Sequence, residues 1–127
     1  MSKFYQYRQN NSGGSFIFDQ EKGISINVIV EANSKEEADS KAESIGLYWN
    51  GVDEGYDCKC CGDRWSNYYI DARDTPCVYD QDVTTEYKTD YIWMKNKEEV
   101  FIHYLDGRVV GHIATKPTAK RKEKKNV

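Results

Sequence analysis

Three cysteines fall within four residues. Cys58 and Cys61 are spaced C-x-x-C and are followed by Gly62, with Cys60 between them and Cys77 further along. Two thiolates at this spacing, on a tightly turning backbone, can both reach one tetrahedral ion, which is the form of a zinc knuckle. The chain has no second C-x-x-C, so a four-ligand zinc site needs Cys77 together with Cys60 or a histidine. Ordinary reduced thiols, free or partly buried, account for the same residues.

The two histidines sit near the C-terminus. With Asp106-Gly107 as a two-residue turn, Tyr104 pairs with Val109, His103 with Val110 and Phe101 with His112. That register puts His103 and His112 on one face as diagonal neighbours, within reach of a shared ligand. Two surface histidines of a sheet are the plainer alternative. A cysteine beside either ring, or a metal-bound water, would make the chain a small hydrolase. The sequence has no G-x-S-x-G, P-loop, H-E-x-x-H or EF-hand pattern.

Two other groups suit binding rather than reaction. Asn10, Asn11, Ser12, Gly13 and Gly14 make a permissive loop whose N–H groups can form a nest around an anion. A simple connection with positive φ angles explains the same residues. Asp63, Arg64 and Trp65 follow the cysteines and offer a charge pair and a flat ring. An internal ion pair with Trp65 in the core is the alternative. If both loops lie at one end of a sheet, they frame a pocket walled by Tyr5, Tyr48, Trp49 and Trp65. Such a pocket suits a nucleobase, nucleotide or sugar phosphate. The acidic group Asp53, Glu54, Asp57 and Asp63 lacks calcium-loop spacing and reads as a solvated face.

The elements that position these residues are mostly strands. Phe4, Tyr5 and Tyr7 begin one, and Phe16-Ile17-Phe18 restarts after the Asn-Gly loop. Ile24, Ile26, Val28 and Val30 alternate on one face, while Ile29 breaks the alternation and points to partial cover on the other face. Ser34 and Glu37 form a capping box, Ala38, Ala42 and Ile45 follow at helical spacing, and Gly46 stands as the terminator. A helix over about residues 35–45 is therefore expected. Tyr68-Tyr69-Ile70 and Val78-Tyr79 read as short strands, and Val83 to Trp93 alternates weakly. Residues 99–114 read as a C-terminal hairpin. The fold class is α+β: an antiparallel sheet with one helix packed on it.

At 127 residues the chain fits one domain, and 17 aromatic residues exceed what disordered chains carry. No run of about 18 apolar residues exists for a membrane span. The N-terminus lacks the apolar stretch of a secretory signal. The net charge of −3 hides two regions. Residues 116–127 hold six basic residues and one acidic, whereas residues 1–115 hold 12 basic and 20 acidic. The first reads as a disordered basic tail that suits nucleic acid, an anionic surface or mere solubility. The second is a single acidic domain, which argues against nucleic acid on the folded body and fits a basic protein partner.

Two stretches also carry a resemblance. Lys3 to Phe16 (KFYQYRQNNSGGSF) is one, and Ile45 to Val52 (IGLYWNGV) continuing through Asp57 to Trp65 (DCKCCGDRW) is the other. Together they resemble a family of small uncharacterised proteins encoded by tailed bacteriophages. The resemblance covers roughly residues 3–70 and brings no activity with it. It implies expression in the reducing cytoplasm of an infected bacterial host. The leading expectation is a non-enzymatic phage accessory protein that binds a host protein, in the form of an inhibitor of a host defence or regulatory protein. The alternatives are a binder of a nucleotide-type small ligand and a small Cys- or metal-dependent hydrolase.

Overall fold

The computed structural model describes residues 1–67 and 72–117. The strand expected at 68–70, and all but the first two residues of the basic tail, lie outside the described residues.

Asn27–Ala32 forms strand β2, the centre of the fold. Its run of β-branched residues is buried on both faces: Val28 and Val30 point one way and Ile29 the other. Strand β1 (Lys3–Arg8) pairs antiparallel to it, from Lys3 opposite Ala32 to Arg8 opposite Asn27. Helix α1 (Lys35–Ile45) follows β2 at once. Two small strands, β3 (Cys77–Val78) and β4 (Gln81–Asp82), make a separate ribbon. Strands β5 (Glu98–His103) and β6 (Val109–Ile113) complete the main sheet in the order β1-β2-β5-β6.

The α+β class stands, but the sheet is mixed rather than wholly antiparallel. β5 runs parallel to β2, with Asn27 opposite Val100 and Val30 opposite His103. The cause is the long crossover through α1, which returns the chain to the open edge of β2 in its original direction.

Helix α1 has the expected bounds because its ends are capped in sequence. Ser34 Oγ accepts from the Glu37 amide at 3.1 Å. Glu37 reaches back to the Asn33 amide at 2.8 Å, one residue beyond the position a capping box uses. Gly46 closes the helix at φ +131 and donates to the Ala42 and Glu43 carbonyls. Ala38 and Ala42 are fully buried, so a narrow face lets the helix approach Tyr5, Tyr7, Val28 and Val30. The opposite face of the sheet is covered without a helix. Val78, Val83 and Tyr87 lie over Ile29, Val100 and Ile102.

One expected strand is absent. Phe16-Ile17-Phe18 has no ladder, and only a bridge between Asp19 and Ile24 follows it. Residues 83–93 are irregular, held by scattered bonds such as Thr115 N to Tyr87 O at 2.9 Å.

The C-terminal hairpin forms, with a register one residue from the expected one. Tyr104 N donates to Arg108 O at 2.8 Å, and Gly107, at φ +96, donates to Tyr104 O at 3.0 Å. Leu105-Asp106-Gly107 is thus a three-residue loop with glycine in the left-handed position. His103 now pairs with Val109 and Val100 with His112. A one-residue slip exchanges faces, so His103 and His112 lie on opposite sides of the sheet and share no ligand.

Candidate functional site: a cleft on two interlocked loops

Residues 9–16 leave the end of β1, and residues 50–65 return to the same end of the sheet. Arg64 welds them. Its Nη1 donates to Gln9 Oε1 at 2.9 Å and to the Ser15 carbonyl at 2.8 Å, and its Nη2 to the Ser12 carbonyl at 2.6 Å. A planar guanidinium is suited to this, since it can satisfy several fixed carbonyls at once. Asp57 lies behind it, with Oδ1 3.8 Å from Arg64 Nε and Oδ2 accepting from the Arg64 amide at 2.8 Å. The Tyr48 hydroxyl donates to the same carboxylate at 2.8 Å. Burial and then this carboxylate push the Tyr48 pKa up, so it remains the donor.

Asn10 completes the junction. Its amide nitrogen donates to the Asp63 carbonyl at 2.7 Å, and its oxygen accepts from the Ser12 amide at 2.8 Å. Ser12 Oγ in turn accepts from the Cys58 amide at 2.8 Å. The Asp63 carboxylate accepts from the Val52 amide at 2.9 Å. Ser12, Gly13 and Gly14 form a single 3-10 turn, with both glycines at positive φ.

The two motifs are therefore brought together, and an open cleft of about 400 Å³ lies against them. Arg8, Asn11, Asp63 and Ser66 line it with the edges of Gln9, Asn10 and Arg64. Phe16 and Trp93 supply its aromatic walls, their rings 5.6 Å apart. Tyr5 and Trp65 belong instead to the core, at 7% and 2% exposure, with Tyr48 and Trp49 packed against it. Asn11 is exposed and its side chain makes no hydrogen bond among the described residues, unlike Asn10 and Arg64.

The sequence reading missed Trp93, Phe16, Arg8 and Glu99. Trp93 is 55% exposed, yet its place is fixed from below. The buried Glu99 carboxylate accepts from the amides of Trp93 at 2.6 Å and Met94 at 2.8 Å. An acidic residue beside the apolar run of β5 was the available signal. Arg8 lies over the Tyr79 ring at 5.5 Å, which extends the aromatic rim.

The cysteines occupy one edge of the second loop. Cys61 and Gly62 both donate to the Cys58 carbonyl, at 3.2 and 3.0 Å, and Gly62 takes φ +85. The Cys60 and Cys61 amides and thiols favour the ionised form of Cys58 and lower its pKa, while the Cys60 pKa is raised. Cys77 belongs to β3, its sulfur 3.3 Å from Thr75 Oγ1. Among the described residues, no group of three or more His, Cys, Asp or Glu side chains is arranged to hold a metal ion. Cys77 is not part of such a group with Cys58, Cys60 and Cys61 in this structure.

His103 Nε2 lies 2.8 Å from the Gly23 carbonyl. That carbonyl only accepts, so Nε2 carries the proton.

These features define an α+β domain whose distinguishing surface is an aromatic cleft on two interlocked loops. The chain belongs to the family described as domain of unknown function DUF7296, whose family model matches residues 2–120. No curated protein and no solved structure gives a significant match. No helix among the described residues is long and apolar enough to cross a membrane.

Proposed function

We propose that this protein is a non-enzymatic accessory protein of a tailed bacteriophage that binds a host protein through the cleft rim, as an inhibitor of a defence or regulatory component. One observation carries the reading. Trp93 packs on Phe16 in the cleft and the Tyr79 ring lies against the cleft residue Arg8, Trp93 and Tyr79 each more than half exposed. Trp, Tyr and Arg are the residues that most often dominate protein interfaces when a partner desolvates them. The acidic body favours a partner with a basic surface. The phage resemblance supplies the setting, the cytoplasm of an infected bacterium.

Tagged protein recovered from bacterial host lysate should bring down a stoichiometric partner. Trp93→Ala and Arg8→Ala should each weaken the complex by tenfold or more, about 1.4 kcal/mol or above, with little change in melting temperature. Recovery of the same partner by both variants would remove the cleft from the reading.

A nucleotide-type small ligand is the second reading. The unbonded Asn11 amide, the Arg8 cation and the Phe16–Trp93 walls favour it, and the cleft has the volume of a small-molecule site. Nucleotide binding lost in Asn11→Ala would decide for it. Nucleic-acid binding through the basic tail concerns residues that lie largely outside those described. Deleting residues 116–127 should abolish salt-sensitive binding to nucleic acid, and unchanged binding would end that reading.

A further inference from the structure

We infer that Cys58 and Cys61 form a thiol–disulfide exchange site that reacts with small disulfides. This rests on the cysteine turn alone and is independent of the cleft.

The backbone is that of a tight C-x-x-C turn. The turn brings the Cys61 amide to 3.2 Å from the Cys58 carbonyl, so both side chains leave one tight loop. Gly62, at φ +85, lets the chain depart without carrying Cys61 away. Cys60 and Cys61 are exposed and Cys58 is half-buried, so small reagents can approach. The turn is held in place from outside: Ser12 Oγ accepts from the Cys58 amide, and Asn10 donates to the Cys61 carbonyl at 3.3 Å. Exchange therefore needs little reorganisation of the backbone.

Roles within the turn follow from its hydrogen bonding. Cys58 is the attacking sulfur, since the Cys60 and Cys61 amides and thiols stabilise its thiolate. Cys61 resolves, because two intervening residues in a tight turn allow a less strained ring with Cys58 than the single residue between Cys58 and Cys60 does. The Cys58 thiolate attacks one sulfur of a disulfide RSSR. A Cys58–S–R bond forms, the S–S bond breaks, and RS⁻ leaves with the electron pair. RS⁻ takes the proton of Cys61, whose thiolate then attacks the Cys58 sulfur and expels a second RS⁻, which is protonated by solvent. The protein dithiol has been oxidised by two electrons, and RSSR has been reduced to two RSH. In a reducing cytosol such a disulfide is transient, which is the mode of a redox-responsive site.

The reduced full-length protein tests this with glutathione disulfide as the probe. Samples are quenched in acid, alkylated and mapped by peptide mass spectrometry. An intramolecular Cys58–Cys61 disulfide is expected, with Cys77 remaining free. Cys60→Ser should preserve the reaction, and a Cys60→Ser, Cys61→Ser double variant should stop at a glutathione adduct on Cys58. In the unsubstituted protein, where folding is not in question, iodoacetamide at neutral pH should modify Cys58 at least about fivefold faster than Cys77. Equal rates at Cys58 and Cys77, or disulfides that join two chains, would overturn the assignment. Stoichiometric zinc(II) retained by the reduced protein and lost in Cys58→Ser would also overturn it, and would make the turn a metal knuckle.

Discussion

Arg64 Nη2 donates to the carbonyl of Ser12 at 2.6 Å across 52 positions of sequence. That bond, with those to Gln9 and Ser15, makes one side chain the fastener between two loops. Removing it leaves carbonyl groups without their donor and the Asp57 charge uncompensated in a buried place. Arg64→Ala should cost about 3–5 kcal/mol. Arg64→Lys should recover little, since one ammonium cannot span the same carbonyls. Urea unfolding of both variants checks this, and a lysine variant of near-native stability would show that charge alone suffices.

Trp93 depends on Glu99 in a different way. The carboxylate holds two backbone amides, so its charge and its shape separate cleanly. Glu99→Gln keeps an acceptor and should cost about 1 kcal/mol. Glu99→Ala leaves both amides bare and should cost about 3 kcal/mol, with a change in Trp93 quenching by acrylamide. Equal costs for the two variants would mean that the amides find water instead.

Burial lowers the pKa of His103 and of His112; the Gly23 carbonyl partly opposes the shift at His103 while Lys41 adds to it, and Asp82 partly opposes the shift at His112. Both rings are therefore held neutral in the fold. Unfolded histidine titrates near 6.5, so below that value the unfolded chain takes up protons first. Their stabilising contribution is complete above about pH 6.5 and is lost as pH falls through the depressed folded values. Denaturant midpoints should decline from pH 6.5 towards pH 5. His103→Gln, which can still donate to Gly23, should flatten the decline. The depressed carboxyls of Asp74 and Asp106 act only in more acid solution, which keeps the effects apart.

Gly23 takes φ +73, and a Cβ there would lie 2.7 Å from Val109 Cγ1 and 2.8 Å from the His103 ring. Backbone strain and overlap act together. Gly23→Ala should cost about 2–4 kcal/mol, and calorimetry on the variant measures it directly.

The parts of the fold that were legible from sequence are those fixed locally. Ser34, Glu37, Ala38, Ala42 and Gly46 lie within one helix length, so the start, face and stop of α1 could all be read. Val28, Ile29 and Val30 likewise announced a strand, with Ile29 pointing to some cover on its second side. Tertiary pairing was not legible. The parallel match of Val28 with Phe101 depends on a crossover that periodicity does not encode. The hairpin slipped by one residue because Asp106-Gly107 serves a two-residue or a three-residue loop equally well, and that choice decided which face His112 takes. At the site, composition showed what the two loops could frame if they met, but neither that they meet nor which residues wall the cleft. Phe16 and Trp93 are separated by most of the chain and become neighbours only when β5 docks.

The pairing of β2 with β5 has a consequence for how the protein is made. Sixty-five residues separate Ala32 from Glu98. At ribosomal speed they take roughly 3–13 seconds to synthesise. Until β5 is made, the backbone of Asn27–Val30 has β1 on one side and no neighbour on its second side. A valine-rich open edge is a template for pairing with other nascent chains. Successful production then depends on events in translation: slow decoding between codons 33 and 97 prolongs the exposure, and fast decoding shortens it.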